Sequence, residues 1–319
     1  MRILEGLGSL EGPGRDAWPT SGIESRSAIL VGVFDGVHLG HQRLLHELGE
    51  LSSSCRALPT VVTFRNHPDE ILHGRKVDWI VSLPHRLRLL RRAGIGRVLL
   101  LDFDQTIRDL TARAFTERVL VHGLHAAAVL LGYDSALGRG RDGDLPHLQA
   151  LGDEFDFVVR QGSRFLVDGE AVSSTAIRRA IRSGDLALAH RMLGRWPQAF
   201  GEVVRGDGRG HELGFPTANI VPQSLVLPPA GVYAVEALVD GDTRPGVANL
   251  GSRPTFTRDP AQPPLLEVHL LDLDRDLYGN TLEVSFVARI RDERRFAGAD
   301  ELRTQITRDI ATARDLLRI

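Results

Sequence analysis

The 319-residue sequence predicts two domains: a Rossmann-like α/β domain with a parallel sheet, then a small antiparallel β domain closed by a C-terminal helix. Three observations carry this expectation. The chain is longer than one core usually holds. Up to about residue 190, short apolar runs alternate with amphipathic helical stretches. Beyond Trp196, strand-like runs follow one another with only turns between them. Hydrophobic content of 42% and charged content of 25% are ordinary for globular chains, so both halves can build a core.

The elements follow in order. The run AILVGVF (Ala28 to Phe34) reads as a strand buried on both faces. HQRLLHELGEL after it puts Leu44, Leu45, Leu48 and Leu51 on one helical face. PTVVTF (Pro59 to Phe64) reads as a second strand, LPHRLRLLRRAGI as a basic amphipathic helix, and GRVLLLDF as a third strand. TARAFTERVLVHGL is a helix, AAAVLLG a strand, and the alternating DEFDFVVR (Asp153 to Arg160) a further strand. Such alternation implies parallel pairing through right-handed crossovers.

After Trp196 the runs FGEVVRG, GVYAVEALVDGDTRPGVANLG, LLEVHLLDL and LYGNTLEVSFVARI imply an antiparallel barrel or sandwich. The Asp-Gly pair inside VDGD (Val239 to Asp242) marks a hairpin turn. ADELRTQITRDIATARDLL is a final helix with Leu302, Ile306, Ile310, Ala313 and Leu317 on one stripe. The domains are placed at residues 1–190 and 191–319.

Bulk properties exclude several classes. A net charge of −2 gives no electrostatic case for nucleic acid or an anionic membrane as partner. With Cys55 the only cysteine, no intrachain disulfide forms, which suits a reducing compartment. The N-terminal stretch lacks the basic start and apolar core of a signal peptide, and no run approaches the ~18 apolar residues of a membrane helix. A soluble, cytoplasmic protein is expected.

One short stretch asks for chemistry. In GVFDGVHLGHQ (Gly32 to Gln42), His38 and His41 lie beside Gly36 and Gly40, between a strand and a helix. Ligands of α/β sheets bind beyond the carboxyl ends of strands, and a helix start offers unpaired N–H groups that suit phosphate. Two imidazoles there would stabilise charge on a transferring phosphoryl group and on departing pyrophosphate. A helix cap without a ligand fits the spacing as well, and zinc is a weaker rival because no cysteine or third histidine accompanies the pair.

The same stretch resembles the opening motif of the bacterial bifunctional riboflavin kinase/FAD synthetases, whose N-terminal module belongs to the H-x-G-H nucleotidyltransferases. VSSTAIRRAIRSGDLALAHRMLGR (Val172 to Arg195) is similar to that family's second nucleotide motif. VVRGDGRGHELGFPTANI (Val203 to Ile220) resembles the glycine loop and Pro-Thr-Ala-Asn of riboflavin kinases. LPPAGVYAV, GVANLGSRPTF, LEVHLLDLDRDLYGNTLEV and RIRDERRF then follow in family order.

The resemblance implies a nucleotidyltransferase of parallel-sheet type followed by a β-barrel kinase. For the first module it implies ATP contacts at Gly32, Phe34, Asp35, Gly36, His38, His41, Ser173, Ser174, Thr175 and Arg178, with His38 and His41 catalytic. For the second it implies ATP contacts at Gly206, Gly208, Gly210, Thr217 and Asn219, Mg2+ contacts at Thr217 and Asn219, and Glu267 as the base. Phe64, His67 and Asp134 are implied on the flavin side of the first module; Arg291 and Glu293, near the last helix, either border the flavin of the second or form surface ion pairs. Riboflavin, ATP, FMN and FAD are the implied substrates and products. The alternation in LLEVHLL separately predicts that Glu267 and His269 face away from Leu266, Val268 and Leu270.

The first module departs from the family in places. TFRNHP carries Arg65 and Asn66 where the family has Asp-Pro, and DSALG carries Ser135, Ala136 and Leu137 in place of an aromatic-basic-aromatic core. Ala176 replaces an arginine. An active kinase with a weakened, inactive or retargeted nucleotidyltransferase is therefore the alternative to a bifunctional enzyme.

Overall fold

The computed structural model describes residues 1–10, 21–206, 210, 213–224, 226–251, 264–273 and 275–319. These form two compact units: Met1–Val77 with Leu83–Val172, and Asp78–Ser82 with Ser173–Ile319.

The first unit is a parallel sheet of β1 (Arg2–Glu5), β2 (Ser27–Val31), β3 (Leu58–Phe64), β4 (Arg97–Leu101), β5 (Ala126–Leu131) and β6 (Val158–Gln161). The strand order is β1-β4-β3-β2-β5-β6. Chain order changes direction between β2 and β5, so the Gly32 to Gln42 stretch leaves the sheet at its switch point, where such sheets bind ligands. Helices α1 (Leu39–Cys55), α2 (Pro68–His73), α3 (Leu83–Arg92), α4 (Gln105–Asp109), α5 (Ala112–Phe115) and α6 (Leu145–Phe155) accompany the strands. Ile29, Val62, Leu99 and Val129 meet in the core, which is why the central strands read as continuous apolar runs. Two short strands, β7 (Leu166–Val167) and β8 (Glu170–Ala171), pair as a separate hairpin.

Several elements differ from expectation. The strand expected over Ala28 to Phe34 stops at Val31, and Phe34 turns left-handed as the chain leaves the sheet. Asp153 to Arg160 is not one strand. Asp144 caps α6 by accepting from the His147 amide, Asp156 ends the helix in the left-handed region, and only Val158–Gln161 is extended. The Asp-Phe alternation imitated a strand inside a helix end. Strand β1 was not anticipated; its four residues owe their strand to pairing with Arg97–Leu100.

In the second unit, α7 (Ser174–Ser183) and α8 (Leu186–Leu193) precede β9 (Gln198–Val204), β10 (Ala218–Ile220), β11 (Gly231–Val239), β12 (Asp242–Gly251), β13 (Leu265–Leu270) and β14 (Thr281–Arg291). These strands close a barrel in the order β10-β13-β12-β11-β14-β9. Tyr233, Val235, Leu266, Val268, Val284 and Phe286 fill it, with the Tyr233 and Phe286 rings edge-on at 5.2 Å. The expected hairpin is present. Val239 pairs with Asp242, and Asp240 and Gly241 both take positive φ (50° and 94°), as a two-residue turn of this kind requires. Helix α9 (Ala299–Leu317) lays Ile310, Ala313 and Leu317 against Val232, Ala234 and Val247 on the outside of the barrel.

The expected 190/191 boundary falls inside α8, and Leu186 of that helix packs into the barrel core. The strap Asp78–Ser82 also belongs to this unit. Its Asp78 carbonyl accepts from Arg178 Nε (2.8 Å), its Asp78 carboxylate pairs with Arg182, and its Trp79 carbonyl accepts from the Val226 amide (3.3 Å). Among the described residues no helix is long and apolar enough to cross a membrane.

Candidate active sites

In the first unit the turn after β2 is unusually bent. Phe34, Gly36 and Val37 all take positive φ (55°, 79° and 40°), and the non-glycine pair is costly, a form of strain that collects at functional sites. The turn carries Asp35, 1% exposed, and delivers the chain into α1. His38 caps that helix: its Nδ1 accepts from the His41 amide at 3.3 Å. With Nδ1 occupied as an acceptor, the His38 ring carries a proton on Nε2, which makes Nε2–H its donor. A Cβ at Gly40 would stand 3.2 Å from the His38 ring, so glycine leaves that ring its place.

The His38 and His41 rings stack at 3.6 Å and 17°, and Phe34 tilts against His41 at 5.2 Å. His41 Nδ1 is buried although part of the residue reaches solvent. Burial first, then His38 and Arg86, hold the His41 imidazole well below its usual range, so it is neutral at pH 7.

Arg86 is a residue that sequence reasoning missed. It lies on α3, 1% exposed, and donates to the carbonyls of Val33 (2.8 Å) and Phe64 (2.5 Å). These are the groups at the ends of β2 and β3. Burial pulls its guanidinium down to about 10, against the opposing pull of Asp35. The signal was present but masked: Arg86 shares the apolar face of α3 with buried Leu89 and Leu90, among arginines that face water.

The implied flavin-side residues of this unit are scattered in character. The Phe64 ring is core-packed, edge-on to Phe103 at 5.3 Å. His67 caps α2, its Nδ1 accepting from the Asp69 amide at 3.2 Å. Asp134 is exposed, and its carbonyl accepts from Arg141. The departures have local roles. Asn66 exchanges two hydrogen bonds with the Phe103 backbone (2.9 and 2.8 Å), Arg65 pairs with Glu5 and Asp102, and Leu137 is buried in the core.

In the second unit Ser173 caps α7, its Oγ accepting from the Ala176 amide at 3.2 Å; Thr175 is exposed and Arg178 half-buried. On the barrel, Asn219 and Glu267 are directly paired across β10 and β13. Glu267 and His269 face outward and Leu266, Val268 and Leu270 are buried, as the alternation predicts. Asn219 is 7% exposed, and a Cβ at Gly206 would overlap its amide. A Cβ at Gly210 would meet Thr217 Oγ1 at 3.0 Å. Gly208 lies outside the described residues. His269, another group not assigned from sequence, shares a hydrogen bond with the Pro216 carbonyl at 2.8 Å and so holds the segment next to Thr217.

Arg291 is held rather than free. Its guanidinium binds both carboxylate oxygens of buried Asp309 on α9 (2.7 to 3.0 Å), and Gln305 donates to the same carboxylate at 2.7 Å. Glu293 is exposed and lies over Gly251, where any Cβ would collide with its carboxylate.

These two constellations match known proteins over nearly the whole chain. A family model described as FAD synthetase matches residues 21–176, and one described as riboflavin kinase matches residues 193–317. A bifunctional riboflavin kinase/FMN adenylyltransferase of Escherichia coli is 42% identical over 290 residues, covering 90% of this chain and 91% of its own. The chain belongs to this family. A member from Pseudomonas fluorescens is 38% identical over 322 residues, covering 99% and 98% of the two chains. A solved Streptococcus pneumoniae structure, described as a macrolide-efflux protein, shares the fold at a TM-score of 0.79 and 28% identity, covering 98% of this chain and 99% of that one.

Proposed function

We propose that the second unit transfers the γ-phosphoryl group of ATP to the 5′-hydroxyl of riboflavin. The first unit's histidine turn then serves adenylylation of the resulting FMN to FAD with release of pyrophosphate, both in the cytoplasm. The observation that carries the kinase half is the direct register pairing of Asn219 with Glu267 beside a glycine loop. Phosphoryl transfer asks little covalent work of a protein; positioning and charge neutralisation dominate. Glu267 orients the hydroxyl and accepts its proton as the bond to phosphorus forms.

The residues fit Mg2+. Thr217 Oγ1 and the Asn219 amide oxygen are hard donors set beside glycines where side chains would intrude, and magnesium takes few protein oxygens and keeps water and phosphate as its other ligands. Thr217 and Asn219 would hold the ion, which would supply charge neutralisation for the phosphates of ATP. Gly206 and Gly210, where a side chain would intrude on Asn219 and Thr217, give the phosphates access to the backbone.

For adenylylation, the FMN phosphate attacks the α-phosphorus of ATP and pyrophosphate leaves. His38 Nε2–H and the N–H groups of the first turn of α1 stabilise the charge that develops, and neutral His41 supports His38 by stacking. Ser173, Ser174, Thr175 and Arg178 are assigned to the ATP phosphates, and His67 and Asp134 to the FMN side. A kinase with a retired first module finds no support: both family models match, and relatives spanning the chain carry both activities in their descriptions.

Incubating the protein with riboflavin, ATP and Mg2+ and separating the flavins by chromatography tests this directly. FMN followed by FAD is expected. His38→Ala should stop the products at FMN. FMN alone from the unaltered chain, with supplied FMN also left unconverted, would overturn the second activity.

A further inference from the structure

Glu267 has two direct cross-strand neighbours, and both are asparagines. Asn219 of β10 pairs with it on one side and Asn249 of β12 on the other. The row continues: Asn249 pairs with Val232 of β11, and Val232 with Arg291 of β14. One line across the outside of the barrel therefore reads Asn219, Glu267, Asn249, Val232, Arg291. Directly opposed residues share a face, with Cβ atoms about 5 Å apart. The exposure pattern agrees: Ala248 and Leu250 are buried in the core on either side of half-buried Asn249.

Asparagine is depleted in strands, where Val, Ile and Thr fit better. Its presence in mid-strand at the position next to Glu267 calls for a reason in chemistry. The direction of transfer supplies one. In the proposed kinase the phosphate donor binds on the β10 side, where Gly206 adjoins the Asn219 amide and Gly210 adjoins Thr217. In an in-line displacement the attacking and leaving oxygens stand on opposite sides of phosphorus. With the attacking hydroxyl at Glu267, the rest of the acceptor runs away from the donor, toward β12. The strand carrying Asn249 is the first it meets, ~4.8 Å on.

We propose that Asn249 binds the acceptor polyol: its side-chain amide holds the ribityl 4′-hydroxyl, one carbon from the reacting 5′-hydroxyl, and thereby makes the kinase selective for a polyhydroxylated chain. An amide both donates and accepts, so it can satisfy a hydroxyl in both senses. The inference rests on the reading of Glu267 as the group at the reacting oxygen.

The test compares riboflavin with its 4′-deoxy analogue as kinase substrates, in the full-length protein, for wild type, Asn249→Ala and Asn249→Val. Valine favours strands, so the second variant keeps the fold if the first weakens it. Adenylylation of supplied FMN and the KM for ATP serve as integrity controls. Wild type should prefer riboflavin by about tenfold in kcat/KM, the size of one hydrogen bond. Both variants should lose about tenfold on riboflavin, almost nothing on the analogue, and bring the preference close to one. Riboflavin affinity measured by quenching of its fluorescence should fall in parallel. An undiminished preference in either folded variant overturns the assignment of Asn249. Glu267→Ala is measured beside them: full FMN formation in that variant would instead overturn the site itself.

Discussion

Arg86→Met removes a buried charge while keeping most of the side chain's volume, so it isolates the polar contribution of that residue. Two carbonyls, of Val33 and Phe64, lose a charged donor, and each such bond contributes about 1.5–3 kcal/mol. Asp35, 1% exposed, loses the neighbouring cation whose charge it feels. Stranding one partner of a buried charged pair costs about 3–5 kcal/mol, and we take that range for the whole change. In a unit of this size each kcal/mol moves the melting temperature by about 2–4 °C, so a fall on the order of 10 °C is expected. Scanning calorimetry of the full chain should show one transition moving down while the barrel's stays. FAD formation should fall, because Arg86 holds the Val33 carbonyl at the entry to the histidine turn, while FMN formation persists. Arg86→Lys should recover only part of the loss, since a lysine cannot reproduce the two-armed donor. An Arg86→Met protein that melts within about 1 °C of wild type and makes FAD at the usual rate would refute this account.

Glu267→Ala should lower kinase turnover by roughly 10²–10⁴-fold, read as kcat for FMN formation, while adenylylation of supplied FMN is unchanged. His41 is held below its usual range near 6.5 in the fold, so the unfolded chain binds its proton first on acidification. Its contribution to stability is complete above pH 6.5 and is lost as pH falls through the folded value; the first unit's melting temperature should drop below pH 6.5, and less so in His41→Gln. Leu137→Phe alone should destabilise by about 1–3 kcal/mol by overpacking the core it occupies, in urea unfolding of the full chain. Ser135→Phe with Ala136→Arg avoids that cost, and should lower the KM for FMN if the family's aromatic contact is what this chain has lost.

Much of the fold was legible because its signals are local. The strand within Ala28 to Val31, the Asp240-Gly241 turn and the stripe on α9 each state their structure within a few residues. The histidine turn was legible for the same reason: glycines, imidazoles and a helix start are contiguous. What escaped depends on distant partners. Nothing in RILE says strand until Arg97–Leu100 lies beside it. Arg86 looks solvated among the four arginines of α3 until Val33 and Phe64 turn their carbonyls toward it. The roles of Asn249 and Asp309 exist only in the register of β12 with β13 and the docking of α9 on β14.

The strap Asp78–Ser82 has a consequence for how the chain is made. These five residues emerge from the ribosome nearly a hundred positions before the helix whose Arg178 and Arg182 hold Asp78. The second unit is thus assembled from pieces delivered at two different times, and the earlier piece waits until α7 and the Val226 segment appear. A gene truncated to begin at residue 173 or 196 would encode a barrel with every strand in place and still lack its oldest part. Supplying Asp78–Ser82 as a separate peptide, or grafting it by a linker ahead of Ser173, would measure how much the late-born half depends on a segment that was synthesised with the other.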